Sequence, residues 1–175
     1  MRCRILGIDP GSARLGFGVI DCDGPDLYVV RFGCLETPPA DAMAVRLRAL
    51  YHQLTEVIAE VRPSEIAVEE LFFNKNARTI IAVAQARGVA LLSAAEYRVP
   101  VYEYTPLQVK VSVVGFGRAE KRQVQRMVSS ILHLVEIPEP DDVADALAVA
   151  ICHSQQRGPR VADLLRQPLR DRKDP

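Results

Sequence analysis

The feature that most constrains this chain is the stretch Ile5-Leu6-Gly7-Ile8-Asp9-Pro10-Gly11-Ser12. A short run that is almost wholly apolar reads as a strand buried on both faces, the pattern of a central strand. It ends on an acid, and Pro-Gly then turns the chain, Pro by presetting φ and Gly by tolerating positive φ. Leu15 to Asp21 follows as a second strand, so the opening is a hairpin with a carboxylate at the top of its inner strand. Alone, such an Asp is a turn residue more often than a ligand. As a ligand it needs partners at the ends of other core elements.

The 175 residues suffice for one domain with a sizeable core, expected over 1–156, with 157–175 as a disordered tail of mixed charge. Hydrophobic content of 49% and charged content of 25% are those of a soluble globular protein. No apolar run approaches the ~20 residues that span a bilayer. The few apolar residues between Arg4 and Asp9 are too short for a secretory core. Cys3, Cys22, Cys34 and Cys152 form no CxxC pair, which suits reduced thiols in a cytoplasmic protein. His52, His133 and His153 show no metal-ligand spacing.

The net charge of zero hides segregation. Residues 1–73 carry 7 basic and 11 acidic side chains, 74–133 carry 9 and 3, 134–156 carry 0 and 5, and 157–175 carry 6 and 3. A metal-dependent enzyme acting on a polyanion needs such a division, carboxylates for the metal and Lys or Arg for phosphates. Many unrelated chains show a similar split, so the pattern is permissive only.

After the turn at Asp23-Gly24-Pro25-Asp26, Leu27 to Leu35 reads as a third antiparallel strand, since the connections are too short for crossovers. Thr37-Pro38-Pro39-Ala40 breaks the pattern and Asp41 is placed to cap a helix. Met43, Leu47, Leu50, Leu54, Val57, Ile58 and Val61 recur at three and four, predicting that helix and its stop before Pro63. Ser64 to Glu70 is a strand again ending in acid. A helix followed by a strand returns that strand parallel to the first, and parallel strands place their carboxyl ends on one edge. Asp9 and Glu69 are therefore expected side by side.

Asn76 to Tyr97 predicts a long helix, Ala-rich and apolar nearly all round. It is either a central core helix or, the reading favoured for so small a domain, one packed on the sheet and on a second subunit. Val99 to Tyr104 is a fifth strand. Pro106 to Val113 is a short helix, and Ala119 to Leu134 an amphipathic one. In the latter Val124, Met127, Val128, Ile131 and Leu132 point inward, and Lys121, Arg122, Gln125 and Arg126 outward. Asp141 is placed to cap a last helix, Asp142 to about Gln156.

Asp142 and Asp145 stand at i and i+3 and share a face of that helix. The helix dipole accounts for Asp142 but less well for Asp145, which lies among Ala144, Ala146, Leu147 and Ala148. A carboxylate so placed costs several kcal/mol to ionise without a partner, and a divalent cation would remove that cost. Asp9, Glu69, Asp142 and Asp145, with no His or Cys, suit a hard cation such as Mg²⁺ or Mn²⁺. Two such ions can activate a water and stabilise the leaving oxygen of a phosphodiester.

Taken in order, Ile8-Asp9-Pro10-Gly11-Ser12, Val68-Glu69-Glu70, Asn76, Gln85-Ala86-Arg87-Gly88, Gln108-Val109-Lys110, Ala119-Glu120-Lys121 and Asp142 to Ala148 resemble the RuvC family of bacterial Holliday junction resolvases. The likeness runs from about Ile5 to His153. It implies an α/β, ribonuclease H-like fold with a five-stranded mixed sheet, three antiparallel strands and then parallel ones, flanked by helices. It implies a homodimer, two Mg²⁺ per subunit with Mn²⁺ able to substitute, and paired nicks at a four-way DNA junction that leave 5′-phosphate and 3′-hydroxyl ends. It also implies association with the RuvA-RuvB branch-migration complex.

Asp9, Glu69, Asp142 and Asp145 fall on the family's four acidic positions, and Lys110 and Lys121 on lysines near the cleaved backbone. Most lysines are merely solvated, which is the plain alternative for both. Phe72 matches an aromatic wedge that stacks on unstacked bases, a contact of ~1–3 kcal/mol. Capping of the core is the commoner role for such a residue. Arg78, Arg118 and Arg122 complete the candidate DNA contacts. Val111-Ser112, where relatives tend to be polar, and Arg118, at a position often small or polar, depart from the pattern without touching the acids.

Two other readings share these features. Asp-Pro-Gly-Ser after a strand also resembles the phosphate-binding hairpin of actin-like ATPases, but those need a duplicated domain that 175 residues cannot supply. A non-catalytic junction-binding module on the same fold would not need acids intact on all three elements.

Overall fold

The computed structural model describes residues 3–71 and 77–156, the side chains of 77–79 excepted. Phe72, the side chain of Arg78 and the segment 157–175 lie outside the described residues, and with them the roles expected for them. The strands are β1 (Cys3–Asp9), β2 (Arg14–Asp23), β3 (Asp26–Glu36), β4 (Glu65–Glu69) and β5 (Val101–Tyr104). They form one sheet in the order β3-β2-β1-β4-β5. β1 and β2, and β2 and β3, pair antiparallel; β4 joins β1, and β5 joins β4, in parallel. The mixed sheet expected from the sequence is the one observed.

The helices are α1 (Met43–Val61), α2 (Ala77–Glu96), α3 (Pro106–Val114), α4 (Lys121–Ile131) and α5 (Asp141–Gln156). Two apolar cores lie on the two faces of the sheet. Leu6, Ile8, Ile66 and Val68 face one core with α1 and the Ala86, Ala90 and Ala94 stripe of α2. Ile5, Ala67 and Tyr104 face the other with α3, α4 and α5. Because β1 lies in the middle, its side chains alternate between two cores rather than between core and water. Its sequence is therefore apolar without alternation.

Several local expectations are corrected. Asp41 does not cap α1: the cap position is Ala42, which makes no side-chain hydrogen bond. The backbone N–H of Asp41 instead donates to the Pro38 carbonyl 3.1 Å away, in the turn before the helix. Met127 is 39% exposed, because the buried stripe of α4 runs through Val124, Val128 and Leu132 and leaves Met127 at its margin. Ser129 is buried in that stripe and donates to the Gln125 carbonyl at 3.2 Å. Asp141 is the first residue of α5 rather than its cap, and its carboxylate meets Lys121. α2 is not a wholly buried central helix, the first of its two readings: its Ala stripe is buried, but Ile81 and Leu92 are 59% and 54% exposed.

What positions the future site is the seating of α5. A Cβ on Gly7 would stand 2.1 Å from the Ala146 carbonyl oxygen, and one on Gly16 2.0 Å from that of Asp142. A Cβ on Gly18, directly opposite Gly7 on β2, would stand 2.5 Å from the Leu147 side chain. The helix backbone thus rests on strand backbone, closer than any side chain would permit. The far end of α5 is held by polar contacts. Buried His153 lies with Nδ1 2.6 Å from the Tyr104 hydroxyl and Nε2 2.7 Å from Glu65 Oε2, and its ring stacks on Tyr102.

Gly16→Ala is expected to destabilise the fold by about 3 kcal/mol or more, since backbone rather than a flexible side-chain tip must move. Urea unfolding measures this; a midpoint equal to wild type would mean that α5 does not depend on that close approach.

Candidate active site

Asp9 ends β1 and is paired with Gly16 on β2. Being two residues beyond Gly7, it projects on the α5 face of the sheet. Glu69 ends β4, one step past the Ile8–Val68 pair, and shares its phase with Ala67, which also faces α5. The Asp142 carbonyl lies against Gly16, the register partner of Asp9. Asp145 follows one turn along the same helix face. Two parallel strand ends and one helix start therefore deliver four carboxyls to one edge of the sheet.

The electrostatics reflect the convergence. Burial, then the charges of Glu69, Asp145 and Asp142, push the Asp9 carboxyl up to about 8, with Lys121 opposing. Burial, then Asp145, push Glu69 up to about 7, opposed by Lys121, a hydrogen bond with Asp9 and Lys110. Burial also raises Asp145, against its hydrogen bond from Lys121. Crowding of like charges away from water is the common cause.

Two cations sit within this group. Lys121 Nζ donates to Asp141 Oδ2 at 2.6 Å and to Asp145 Oδ2 at 2.8 Å. These two bonds outweigh the burial that would lower the lysine, and its ammonium is raised above the ordinary value. Arg14 Nε lies 3.2 Å from Asp142 Oδ2. That distance makes an ion pair, but the angles are not those of a hydrogen bond, and Asp142 Oδ2 is buried without a hydrogen-bond donor among the described residues. A buried carboxyl oxygen lacking a hydrogen-bond donor is what a hard cation satisfies.

The donor set fits a divalent ion on two counts, oxygen-only chemistry and like charges whose repulsion a cation relieves. Among the described residues no group of three or more acids, His or Cys is already drawn together as a metal cage. With Lys121 and Arg14 bonded to the acids, this is an arrangement balanced by internal counter-charge. Asp9, Glu69, Asp142 and Asp145 are the residues that would hold the ion.

Of the expected DNA contacts, Lys110 is half-buried on α3 and acts electrically on Glu69. Arg118 is exposed in the α3–α4 connection and Arg122 is exposed in the first turn of α4, beside Lys121. Arg14 and Asp141 were not anticipated. Arg14 shares the phase of Gly16 and Gly18 on β2, and that alternation was the available signal. The Pro10-Gly11-Ser12 turn is latched from behind: Arg46 donates to Thr37 Oγ1 at 3.1 Å and to Ser12 Oγ at 3.2 Å. The Thr37 hydroxyl in turn donates to the Ser12 carbonyl at 2.7 Å.

The family model described as crossover junction endodeoxyribonuclease RuvC matches residues 5–153. The chain belongs to the RuvC family. The RuvC of Desulfitobacterium hafniense is 57% identical over 150 residues, 86% of this chain and 91% of that protein. The RuvC of Pelotomaculum thermopropionicum is also 57% identical over 150 residues, covering 86% and 92%. Among solved structures, T. thermophilus RuvC in complex with Holliday junction substrate superposes with a TM-score of 0.83. It is 36% identical, over 93% of this chain and 96% of its own. The yeast mitochondrial resolvase Ydc2, at 15% identity and a TM-score of 0.62, shares the fold. The fold is thus the ribonuclease H-like one of the RuvC resolvases, and the chain is a member of a nuclease family. The actin-like reading of the Asp-Pro-Gly-Ser turn falls with that assignment.

The raised carboxyls carry a pH signature with a definite sign. Between about 4 and about 8, folded Asp9 and Glu69 hold protons that the unfolded chain releases. In EDTA, stability is therefore expected to fall as pH rises through that window. A divalent cation competes with those protons, so the Tm gained on adding Mg²⁺ should be larger at about pH 8 than at about pH 6. Thermal unfolding in both conditions checks this; an equal gain at the two values would separate the acids from the metal.

Proposed function

We propose that this chain is a structure-specific endonuclease that resolves four-way DNA junctions by paired, symmetric nicks. The observation that carries the reading is the convergence of Asp9, Glu69, Asp142 and Asp145 from β1, β4 and α5, with Lys121 inside the cluster and Lys110 beside it. Family membership supplies the reaction class, and the T. thermophilus RuvC complex shows a similar chain with junction substrate.

Asp9, Glu69, Asp142 and Asp145 would hold Mg²⁺, two ions per subunit, with Mn²⁺ able to replace it. When bound, the ions supply positive charge that favours attack of water on phosphorus and departure of the 3′ oxygen. The chain leaves a 5′-phosphate and a 3′-hydroxyl. Asp9, which feels the charges of the other three acids, would be the acid shared most widely in holding the ions. Lys121 and Lys110 hold phosphate oxygens and offset the charge that develops there. Arg118 and Arg122, both exposed, are the proposed contacts to the DNA backbone. The family resemblance adds Arg78 as a further backbone contact and Phe72 as the side chain that would stack on bases opened at the crossover.

The working unit is a homodimer. On α2, Ile81, Ala84, Gln85, Gly88 and Leu92 recur at helical spacing on the side away from the buried Ala stripe, and all five are exposed. Nothing in the described protein lies within 4 Å of a Cβ placed on Gly88. Two such helices can approach closely across a two-fold axis, which places two sites against the two equivalent strands of a junction. Among the described residues no helix is long and apolar enough to cross a membrane. A cytoplasmic enzyme working with the RuvA-RuvB branch-migration complex is the setting that the family suggests.

Asp9→Asn, Glu69→Gln and Asp142→Asn should each lower cleavage of a synthetic four-way junction in Mg²⁺ by about 100-fold or more, while still binding it. Linear duplex of the same sequence should resist the wild-type enzyme, and EDTA should abolish cleavage. Wild-type rates in all three variants would remove the metal-site reading.

Leu92→Lys, at an exposed position, should leave the fold intact but shift sedimentation to monomer and convert paired nicks to single ones. A variant that stays dimeric would move the interface elsewhere.

A further inference from the structure

Asp141 is absent from the proposed metal set, and its position explains why. Its side chain is 45% exposed against 24% for Asp142, and it is not among the principal charges acting on Asp9 or Glu69. Yet it touches both cations of the site. Asp141 Oδ2 lies 2.6 Å from Lys121 Nζ, and Asp141 Oδ1 lies 3.9 Å from an Arg14 guanidinium nitrogen. Each cation has one further carboxylate partner, Asp145 for Lys121 and Asp142 for Arg14. Those partners are the two helix acids expected to turn to a metal.

We propose that Asp141 is a positioning residue, the tether that keeps Lys121 and Arg14 at the rim of the site when Asp142 and Asp145 are engaged elsewhere. The inference rests on the nuclease reading above. A long lysine on a solvent-exposed helix face has many rotamers, and holding it costs entropy that a substrate phosphate would otherwise have to supply. Asp141 is on the first residue of α5, one place from Asp142, so the tether is anchored on the element that carries the helix acids. It holds a cation next to where phosphate must arrive without itself contacting the reacting atoms. Arg14, which pairs with a site acid from β2, is the second group so held.

The tether makes two effects of one substitution run in opposite directions. Asp141→Asn removes a negative charge and frees Lys121, so junction binding in EDTA should tighten, by about threefold for an exposed pair. Cleavage at saturating junction in Mg²⁺ should nevertheless slow, by about tenfold, as expected when a supporting partner is lost. Asp141→Glu, which keeps the charge, should recover most of the rate. The decisive control is Lys121→Met. In that background Asp141→Asn should give a smaller tightening in EDTA and a smaller further loss of rate, since one of the two groups it acts through is gone and Arg14 alone remains.

Tightening of equal size with and without Lys121 would show a general charge effect and overturn the tether. So would cleavage by Asp141→Asn at the wild-type rate, or rate losses that multiply in the double variant. If the wild-type chain binds the junction but does not cleave it, the nuclease reading is what fails. That case is told apart because the EDTA binding cycle reads the Asp141–Lys121 contact without any chemistry.

Discussion

The structure depends on the contact between the backbone of α5 and the backbones of β1 and β2. Gly7, Gly16 and Gly18 remove the side chains that would otherwise hold helix and sheet apart. Aligned strand glycines are costly, because each loses conformational entropy and packs no side chain. Their gain is proximity: the helix start that carries Asp142 is seated on the register partner of Asp9. Every later feature of the site, including the repulsion among its acids, depends on that short separation.

Proximity of four acids at a partly buried edge is electrostatically unfavourable without help. Protons on Asp9 and Glu69 supply part of it near neutral pH, and Lys121 and Arg14 supply more. The folded chain is thus assembled in a charge state suited to receiving cations, and sites that bind metal are commonly costly in its absence. On the proposed function, the same lysine and arginine that balance the acids would meet a phosphate, so one pair of side chains would have a use in both states.

Much of this was legible in the sequence. The five strands, their mixed pairing and the placement of acids at two strand ends and a helix start can be read from apolar runs, turn residues and connection lengths. The four site acids could be named because each element ended or began with one. The illegible part depends on phase and on space. Met127 fits an apolar stripe by residue type but sits at its margin once the helix is seated on Val124, Val128 and Leu132. Asp41 and Asp141 both precede helical patterns, but one is used in a turn and the other in ion pairs. Arg14 sits directly after the turn, and only its alternation with Gly16 and Gly18 points it at Asp142. The glycines read as weak points in strands until the helix above them is seen.

His153 lies eight residues beyond Asp145 on α5, about 12 Å along the axis. Through Tyr104 and Glu65 it ties that end of the helix to β5 and β4, while the glycines seat the other end on β1 and β2. A helix held at both ends by contacts of different kinds cannot slide or roll by a single residue without losing one of them. The spacing of the acids is therefore gauged partly at a buried place remote from the carboxyls themselves. The surface around the site is free to change its preferences for DNA while the ruler beneath it keeps the same divisions.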